Sequence, residues 1–175
     1  MRAERVGVKQ AKPDKLFYVV ADAIIYRETD GRCLILKRDK REKVHPGKWA
    51  TVGGKLEHAD LDIGNPSRTE GDVLVFEDKI NELLKREAKE EAGVLIKLPP
   101  KFTGSKVIVR PDGIPVVILH FVVLYKGGEV KPEPGSFTAF AWVNADEIKQ
   151  YDCIEDISQG VKTAINLFKE RVSKI

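Results

Sequence analysis

Three glutamates in the middle of the chain have the spacing of a metal-binding helix face. Glu87, Glu90 and Glu91 stand at positions i, i+3 and i+4, so a helix would gather their carboxylates on one side. Like charges at this spacing repel weakly, and one interpretation is a solvated face of a helix rich in lysine and glutamate. The other is a magnesium site, because Mg2+ takes oxygen ligands and keeps water and phosphate oxygens in its shell.

The residues around these glutamates favour the metal site. Leu83 and Leu84 precede Glu87 by four and three positions, so Glu87 borders the apolar stripe of the predicted helix. An unpaired charge beside a buried stripe is costly, and a cation would offset that cost. Arg86 lies four positions before Glu90 and is predicted to steady its carboxylate, although the same spacing also describes an ordinary surface ion pair.

A helix between two groups of strands is predicted to carry this face. Apolar residues recur at three- and four-residue intervals over 78–92, with Asp78 as the N-cap and Gly93 as the stop. A second helix is predicted over 156–172, and the polar stretch 58–76 is predicted to be an inserted surface loop. Runs rich in β-branched and aromatic residues predict strands at 17–27, 32–38, 49–52, 94–97, 105–110, 115–125 and 138–143. The predicted fold is α+β, an α/β/α sandwich in which a mixed sheet lies between helices.

The composition sets limits on the class of protein. With 175 residues, 42% hydrophobic and 33% charged, we expect one soluble domain covering 1–175. The net charge of +3, which comes partly from the basic segment 1–15, does not indicate a dedicated nucleic-acid partner. No apolar run approaches the roughly 20 residues needed to cross a membrane, and the N-terminal segment lacks the apolar core of a signal peptide. We expect a cytoplasmic protein, monomeric or homodimeric, without a membrane partner.

The cysteines and histidines do not indicate a second kind of metal site. Cys33 and Cys153 form no zinc-like spacing with each other or with the three histidines, so both are predicted to be buried free thiols. His120 lies within an apolar strand and is predicted to be a hydrogen-bonded core residue.

The carboxylate face belongs to a string that resembles the second half of the Nudix box. Residues 86–94 match its pattern of Arg-Glu, an apolar residue, any residue, Glu-Glu, any residue, Gly and an apolar residue. Residues 46–49 (Pro-Gly-Lys-Trp) and 53–57 (Gly-Gly-Lys-Leu-Glu) resemble the approach to the box, and residues 141–143 and 146–148 resemble the family's usual ending. Because these segments follow the expected order, the sequence is identified as a member of the Nudix hydrolase family, and a Nudix-like sandwich is the expected fold.

The first half of the box departs from the family's pattern. The family normally places a glutamate close behind the glycines, with seven residues between that glutamate and the Arg. Asp78, next to Glu77, has the second spacing, but about eighteen extra residues separate it from the glycines. The box is therefore interpreted as split by an insertion after 53–57. A loop of this length adds little closure entropy, and we expect 58–76 to lie beside the site and to serve substrate choice or subunit contact.

The resemblance implies a magnesium-dependent hydrolase, with Mn2+ as an alternative cofactor, that cleaves a diphosphate bond in a nucleoside diphosphate linked to another group. Glu87, Glu90 and Glu91 would bind the metal, which would neutralise the phosphates and lower the pKa of a bound water. Glu90 or Glu91 would act as the base, with Arg86 supporting them. Many members use a further acid before the terminal Trp-Val strand, and Glu133 is the candidate here; the alternative is a loop glutamate in solvent.

Residues near the glycines are predicted to contact the substrate. Lys37 and Arg38 end a strand and are candidates to meet phosphates, although charged strand ends are common. Trp49 is a candidate to stack on a nucleobase, or else to anchor the chain beside the glycines. Gly53 and Gly54 are candidates to present backbone carbonyl groups at the site.

Two other functions remain open on this evidence. One is a nucleotide-binding module of the same fold without catalysis, which the intact string at 86–94 argues against. The other is an enzyme resembling isopentenyl diphosphate isomerase, suggested by residues 46–54. That chemistry requires a pocket cysteine after the glycines, and Cys33 comes too early. The identity of the diphosphate substrate is not predicted, since one box serves many substrates.

Overall fold

The computed structural model describes residues 3–172, so the ends of the predicted domain, 1–2 and 173–175, lie outside the described residues. Within this range the chain forms two α-helices, α1 (Lys79–Ala92) and α2 (Ile157–Val172). The strands are β1 (Tyr18–Arg27), β2 (Arg32–Arg38), β3 (Trp49–Ala50), β4 (Val52–Lys55), β5 (Arg68–Glu70), β6 (Val73–Val75), β7 (Leu95–Val109), β8 (Pro115–Gly127) and β9 (Phe137–Val143). Neither helix in the described part of the chain has the length and apolar character needed to cross a membrane.

Strand β1 lies at the centre of a seven-stranded mixed sheet. It pairs in parallel with β8 and antiparallel with β2 and β4. Strand β7 extends the sheet beyond β8, and β3 and β9 pair with β2. Ala21, Ala23 and Ile25 of β1 are fully buried, because helices pack on the sheet from both sides. The predicted α+β sandwich with a mixed sheet is confirmed.

The two helices lie on opposite faces of this sheet. Gly160 of α2 packs closely on Ile24 of β1, whereas Gly54 of β4 faces Glu87 of α1. Gly54 pairs with Ala21, and paired residues share a face. Since successive residues of a strand point to opposite faces, the odd-numbered residues of β1 face α1 and the even-numbered residues face α2.

Helix α1 begins and ends at the predicted residues. Asp78 precedes the first residue of the helix with a φ of 58°, and its carboxylate accepts a hydrogen bond from the side chain of Asn81 at 2.9 Å. Asp78 holds the predicted N-cap position, and its carbonyl group accepts from the N–H of Glu82 at 3.0 Å, but its side chain does not bond to the backbone of the first turn. Gly93 ends the helix at a φ of 73°, and its N–H donates to the carbonyl group of Lys89 at 3.0 Å. Glycine favours this left-handed conformation, and the predicted stop is confirmed.

Three predicted segments differ from the observed elements. The strands predicted at 94–97 and 105–110 are parts of one strand, β7, whose register shifts between Lys97 and Lys101. This irregular stretch contains two prolines, which an edge strand tolerates because their missing N–H groups would face away from the sheet. The stretch 58–76 is not wholly a loop, because β5 and β6 form an antiparallel hairpin within it. The abundance of turn residues in this stretch concealed the strand-forming residues 73–75.

The predictions for the cysteines and for His120 are partly confirmed. Cys33 and Cys153 are free thiols, but only Cys33 is buried and Cys153 is half-buried. His120 is hydrogen-bonded as predicted, with Asp22 as its partner. Its side chain is 28% exposed, so it lies outside the core, at the margin of the region that α2 covers.

Candidate active site

Glu87 lies where α1 meets the glycine strand β4. The buried stripe that fixes α1 on the sheet consists of Leu83, Leu84, Ala88 and Ala92. The Glu87 side chain is 14% exposed, and its carboxylate fills the space that a side chain at position 54 would need. Arg86 Nη2 donates to Glu87 Oε1 at 3.1 Å. Burial raises the pKa of Glu87, and the Arg86 guanidinium counteracts part of that rise.

Glu91 lies one turn further along α1 and is held by the backbone of β4. The N–H of Gly53 donates to Glu91 Oε2 at 2.9 Å. Burial raises the pKa of Glu91 to about 8; the Gly53 hydrogen bond acts in the opposite direction, and the charge of Glu87 raises the pKa further. A carboxylate with a pKa this high has more desolvation than nearby positive charge can offset. A cation bound beside Glu91 would favour the charged form of this carboxyl.

Glu90 is more exposed to solvent than these two carboxylates, although its charge also raises the pKa of Glu87. Its side chain is 57% exposed, and Arg86 Nε lies 3.9 Å from Glu90 Oε2. The predicted approach of Arg86 to Glu90 is therefore present, but at the outer limit of an ion pair. Arg86 makes closer contacts with Glu87 and with Asp60.

Asp60 is a site residue that the sequence did not single out. It belongs to a short turn of helix at His58–Asp60, its side chain is 15% exposed, and its Oδ1 accepts a short hydrogen bond from Arg86 Nη1. Its Oδ2 also accepts from the N–H of Glu57 at 2.7 Å. Asp60 follows Gly54 by six positions, so it is the acid expected close behind the glycines. The sequence prediction missed it because it counted back from Arg86 and reached Asp78.

Asp78, which the sequence prediction found by counting back from Arg86, and its neighbour Glu77 bond to other residues. Asp78 bonds to Asn81 at the start of α1, and Glu77 Oε1 accepts a hydrogen bond from Arg68 Nε at 2.9 Å. In the structure, the inserted segment thus supplies the acidic partner of Arg86 from its first turn.

Glu133 and Arg38 approach the carboxylates from two other segments. The N–H of Glu133 donates to the carbonyl group of Glu91 at 2.9 Å, and the charge of Glu133 raises the pKa of both Glu87 and Glu91. Arg38 lowers the pKa of Glu91, while its own guanidinium donates to Glu42 at 2.6 Å and to the carbonyl group of Val44 at 2.9 Å. These contacts place Glu133 and Arg38 within electrostatic reach of the site.

Lys37 and Trp49 have contacts of a different kind. Lys37 Nζ lies 5.9 Å from the centre of the Trp49 ring, and that ring meets Tyr151 edge-on at 4.8 Å. Trp49 also pairs with Lys37 across β2 and β3. The half-buried Trp49 thus anchors β3 against the segment before α2, which is the second of its two predicted roles.

Neither cysteine provides a thiol suited to isomerase-type chemistry. Cys33 is buried below α2, with its Sγ 4.0 Å from the carbonyl oxygen of Val161. Burial raises the pKa of the Cys33 thiol to about 12 and that of Cys153 to about 11. A reactive thiol requires a lowered pKa, so these environments argue against that alternative.

The donor set fits a hard divalent cation. Across residues 3–172, no three histidine, cysteine, aspartate or glutamate side chains already stand in a metal-binding arrangement; Glu87 faces Arg86, and Glu91 faces Gly53. The site nevertheless joins two shielded carboxylates on adjacent turns of one helix with incomplete charge compensation. Mg2+ is commonly held by one or two carboxylates, with water and substrate phosphates as the remaining ligands.

Comparison with known proteins gives consistent matches. The family model of the NUDIX domain matches residues 17–161. The nucleoside triphosphatase NudI from Klebsiella pneumoniae (strain 342) is 28% identical over 134 residues, which cover 71% of this chain and 82% of that protein.

Solved structures match over nearly the whole chain. The MutT protein from Methanosarcina mazei Go1 aligns with a TM-score of 0.62 at 20% identity, covering 90% of this chain and 99% of that one. The NUDIX domain of Shewanella oneidensis NrtR, complexed with ADP ribose, aligns with a TM-score of 0.62 at 14% identity and covers 94% and 96%. At these identities the structural matches show a shared fold.

Proposed function

The chain belongs to the Nudix hydrolase family, and on this premise we propose that it hydrolyses a diphosphate linkage in a nucleotide with the help of Mg2+, or of Mn2+ in its place. The observation that carries the proposal is the position of Glu87 and Glu91, which one helix holds against two consecutive glycines, largely shielded from solvent. The similarity to a nucleoside triphosphatase supports a nucleotide as the substrate, and so does the ADP ribose bound by a protein of the same fold.

In this proposal Glu87 and Glu91 hold the cation. The bound ion would neutralise phosphate charge and lower the pKa of a coordinated water. The N–H of Gly53 fixes one oxygen of Glu91 and leaves the other free to bind. Arg86, held by Asp60, fixes the Glu87 carboxylate beside Gly54. This support matters because the orientation of metal ligands depends on the groups that hydrogen-bond to them.

The proton of the attacking water must pass to a carboxylate that the cation does not occupy. Glu90 is exposed, and Glu133 lies in the loop between β8 and β9, where its own N–H bonds to the carbonyl group of Glu91. Both are candidates for this base, since a general base must come within hydrogen-bond reach of the water, directly or through a second water. Arg38, whose charge acts on Glu91, is a candidate to contact the substrate phosphates.

The test is a panel of nucleotides assayed with Mg2+, comparing the wild type with Glu91→Gln and Glu90→Gln. Glu82→Gln is the matched control, because Glu82 lies on the same helix and bonds to Lys79 at 2.6 Å. We expect Glu91→Gln to lose at least about 100-fold in turnover and to lose binding of Mn2+ measured by electron paramagnetic resonance, with unchanged circular dichroism. Wild-type turnover in both Glu91→Gln and Glu90→Gln would refute the assignment of the carboxylates.

A further inference from the structure

A hydrogen-bonded aspartate and histidine lie on the face of the sheet opposite to the carboxylates. Asp22 is an even-numbered residue of β1 and therefore faces α2. It pairs with His120 across β1 and β8, and His120 Nδ1 lies 2.9 Å and 3.1 Å from the two oxygens of the Asp22 carboxylate. Hydrolysis at Glu87 and Glu91 makes no use of these two side chains.

The pair is accessible because glycines flank it in the sheet. Gly53 is the neighbour of Asp22 on β4, and Gly104 is the neighbour of His120 on β7. A side chain at position 104 would meet nothing within 4 Å, so there is open space beside the imidazole. The side chains of Asp22 and His120 are 26% and 28% exposed, although both belong to central strands of the sheet.

Next to the pair lies an apolar strip with a lysine at each end, Lys55 and Lys106, of which Lys106 is paired with Asp156. Val20 and Ile118 are neighbours on β1 and β8 and are half-buried. Lys55 pairs with Val20, and Lys106 pairs with Ile118. Residues two apart on a strand are roughly 6.6 Å apart, so a ring lying on this strip would bring its edge to the pair. A nucleobase combines an apolar face with a hydrogen-bonding edge in this way.

Gly53 connects the two faces. Its N–H donates to Glu91 on the α1 side, and a side chain added at this position would meet Asp22 on the other side. The carboxylates and the Asp22–His120 pair are therefore separated by a single strand, β4. A nucleotide bound at both places would pass β4, with its phosphates at the carboxylates and its nucleobase at the pair.

We propose that Asp22 and His120 form the subsite that selects the nucleobase, and that they favour nucleobases with an amino group. This inference rests on the proposed function and adds the part of the nucleotide that is recognised. Because Asp22 is an acceptor, the imidazole donates from Nδ1 and leaves Nε2 as an acceptor in its neutral form. The pair then offers acceptors, which match the amino edges of adenine, guanine and cytosine and oppose the carbonyl oxygens of uracil and thymine.

The first test measures nucleobase preference. Values of kcat/KM for ATP, GTP, CTP, UTP and dTTP, assayed with Mg2+, are compared for the wild type, Asp22→Asn and the control Asp14→Asn, which alters an exposed aspartate of the N-terminal segment. We expect the wild type and the control to favour the amino nucleobases by about 10- to 100-fold, the range for a hydrogen bond to a charged group. Asp22→Asn places an amide donor in the subsite and should reduce this preference to within about threefold, since the change acts on the amino edge and not on the phosphates.

The second test uses binding without hydrolysis. Calorimetric titration with AMP, GMP, CMP and UMP is performed on the wild type, Asp22→Asn and Gly104→Leu. A Cβ at position 104 meets nothing within 4 Å, so the leucine would extend into the open space beside His120, and we expect it to weaken binding of all four monophosphates at least tenfold. This variant decides the question if Asp22→Asn does not fold.

The outcomes separate the two proposals. If the wild type hydrolyses no nucleotide, the proposed function fails, and the titrations then test the subsite alone. A wild type without nucleobase preference in either assay overturns the subsite. So does an Asp22→Asn variant that loses activity equally on all five triphosphates, or a Gly104→Leu variant that binds the monophosphates as tightly as the wild type.

Discussion

Gly54→Ala tests the geometry of the site with the addition of one methyl group. The new carbon would lie 2.9 Å from Glu87 Oε2 and still closer to Oε1, whereas ordinary contact begins at 3.4 Å. The backbone at Gly54 does not have a positive φ, so alanine fits the strand itself. The nearer carboxylate oxygen must therefore retreat by roughly 1 Å, and a displacement of that size can lower the rate on the order of 100-fold.

The effect of this substitution should fall on catalysis and metal binding rather than on folding. Glu87 is the end of a flexible side chain and can swing away from the new methyl group, so we expect the midpoint of thermal unfolding to change little. Turnover of the preferred nucleotide should fall about 100-fold, as P–O bond cleavage depends on accurate placement of the ligands. The assay measures kcat and KM as functions of Mg2+ concentration, with Mn2+ binding followed by electron paramagnetic resonance.

Gly64→Ala is the matched control. Gly64 lies in the inserted segment, and an added carbon there would meet only Asp62 at an ordinary 3.4 Å. We expect this variant to retain wild-type turnover. The reasoning is refuted if Gly54→Ala retains wild-type kcat and Mn2+ affinity, because the position of the Glu87 carboxylate would then not matter for metal binding or turnover.

Three further predictions concern other parts of the site and the loop beside it. Asp60→Asn should lower turnover in steady-state assays about 10- to 100-fold by releasing Arg86, whereas Asp78→Asn should leave turnover unchanged. If Asp78→Asn were the more damaging of the two, the sequence-based assignment of Asp78 to the site would be restored. Chelation of divalent ions should abolish hydrolysis, and added Mg2+ or Mn2+ should restore it in the same assay. Arg41 holds the pKa of Asp39 at about 2, below its ordinary value of 3.8, so this contact contributes stability above about pH 4 that is lost as the pH falls toward 2. Asp39→Asn should therefore weaken the dependence of the unfolding midpoint on pH between 2 and 4, and an unchanged acid-unfolding profile would contradict this.

Helix α1 was predictable because its signals are local. The apolar spacing that ends at Ala92, the following Gly93 and the three glutamates all lie within a few turns of one another, so sequence periodicity alone places Glu87 and Glu91 beside the buried face. Even there, local reasoning overstated one residue. Asp78 is the N-cap residue as predicted, but its φ is positive and its carboxylate accepts from Asn81, not from the backbone of the first turn.

The partners of α1 were not predictable in the same way, because they come from distant positions. Asp60 reaches Arg86 across 26 residues, and Gly53 reaches Glu91 across 38. Counting back from Arg86 leads to Asp78, because the inserted segment lies between the glycines and the helix. The acid that contacts Arg86 is Asp60, at the other end of that segment. The Asp22–His120 pair, 98 residues apart, depends on the parallel pairing of β1 with β8, which no local pattern specifies.

The two consecutive glycines show why a short motif can organise two surfaces at once. Because neighbouring residues of a strand face opposite sides of the sheet, Gly54 leaves room for Glu87 on one side and Gly53 lies against Asp22 on the other. A side chain at Gly53 would collide with the backbone of β1, which cannot give way as a flexible glutamate can. Substitution of Gly53 should therefore destabilise the sheet, whereas substitution of Gly54 should impair the site. The inserted segment begins after both glycines, and its first turn returns Asp60 to Arg86, so the length of the remaining loop adds little closure entropy and moves neither glycine.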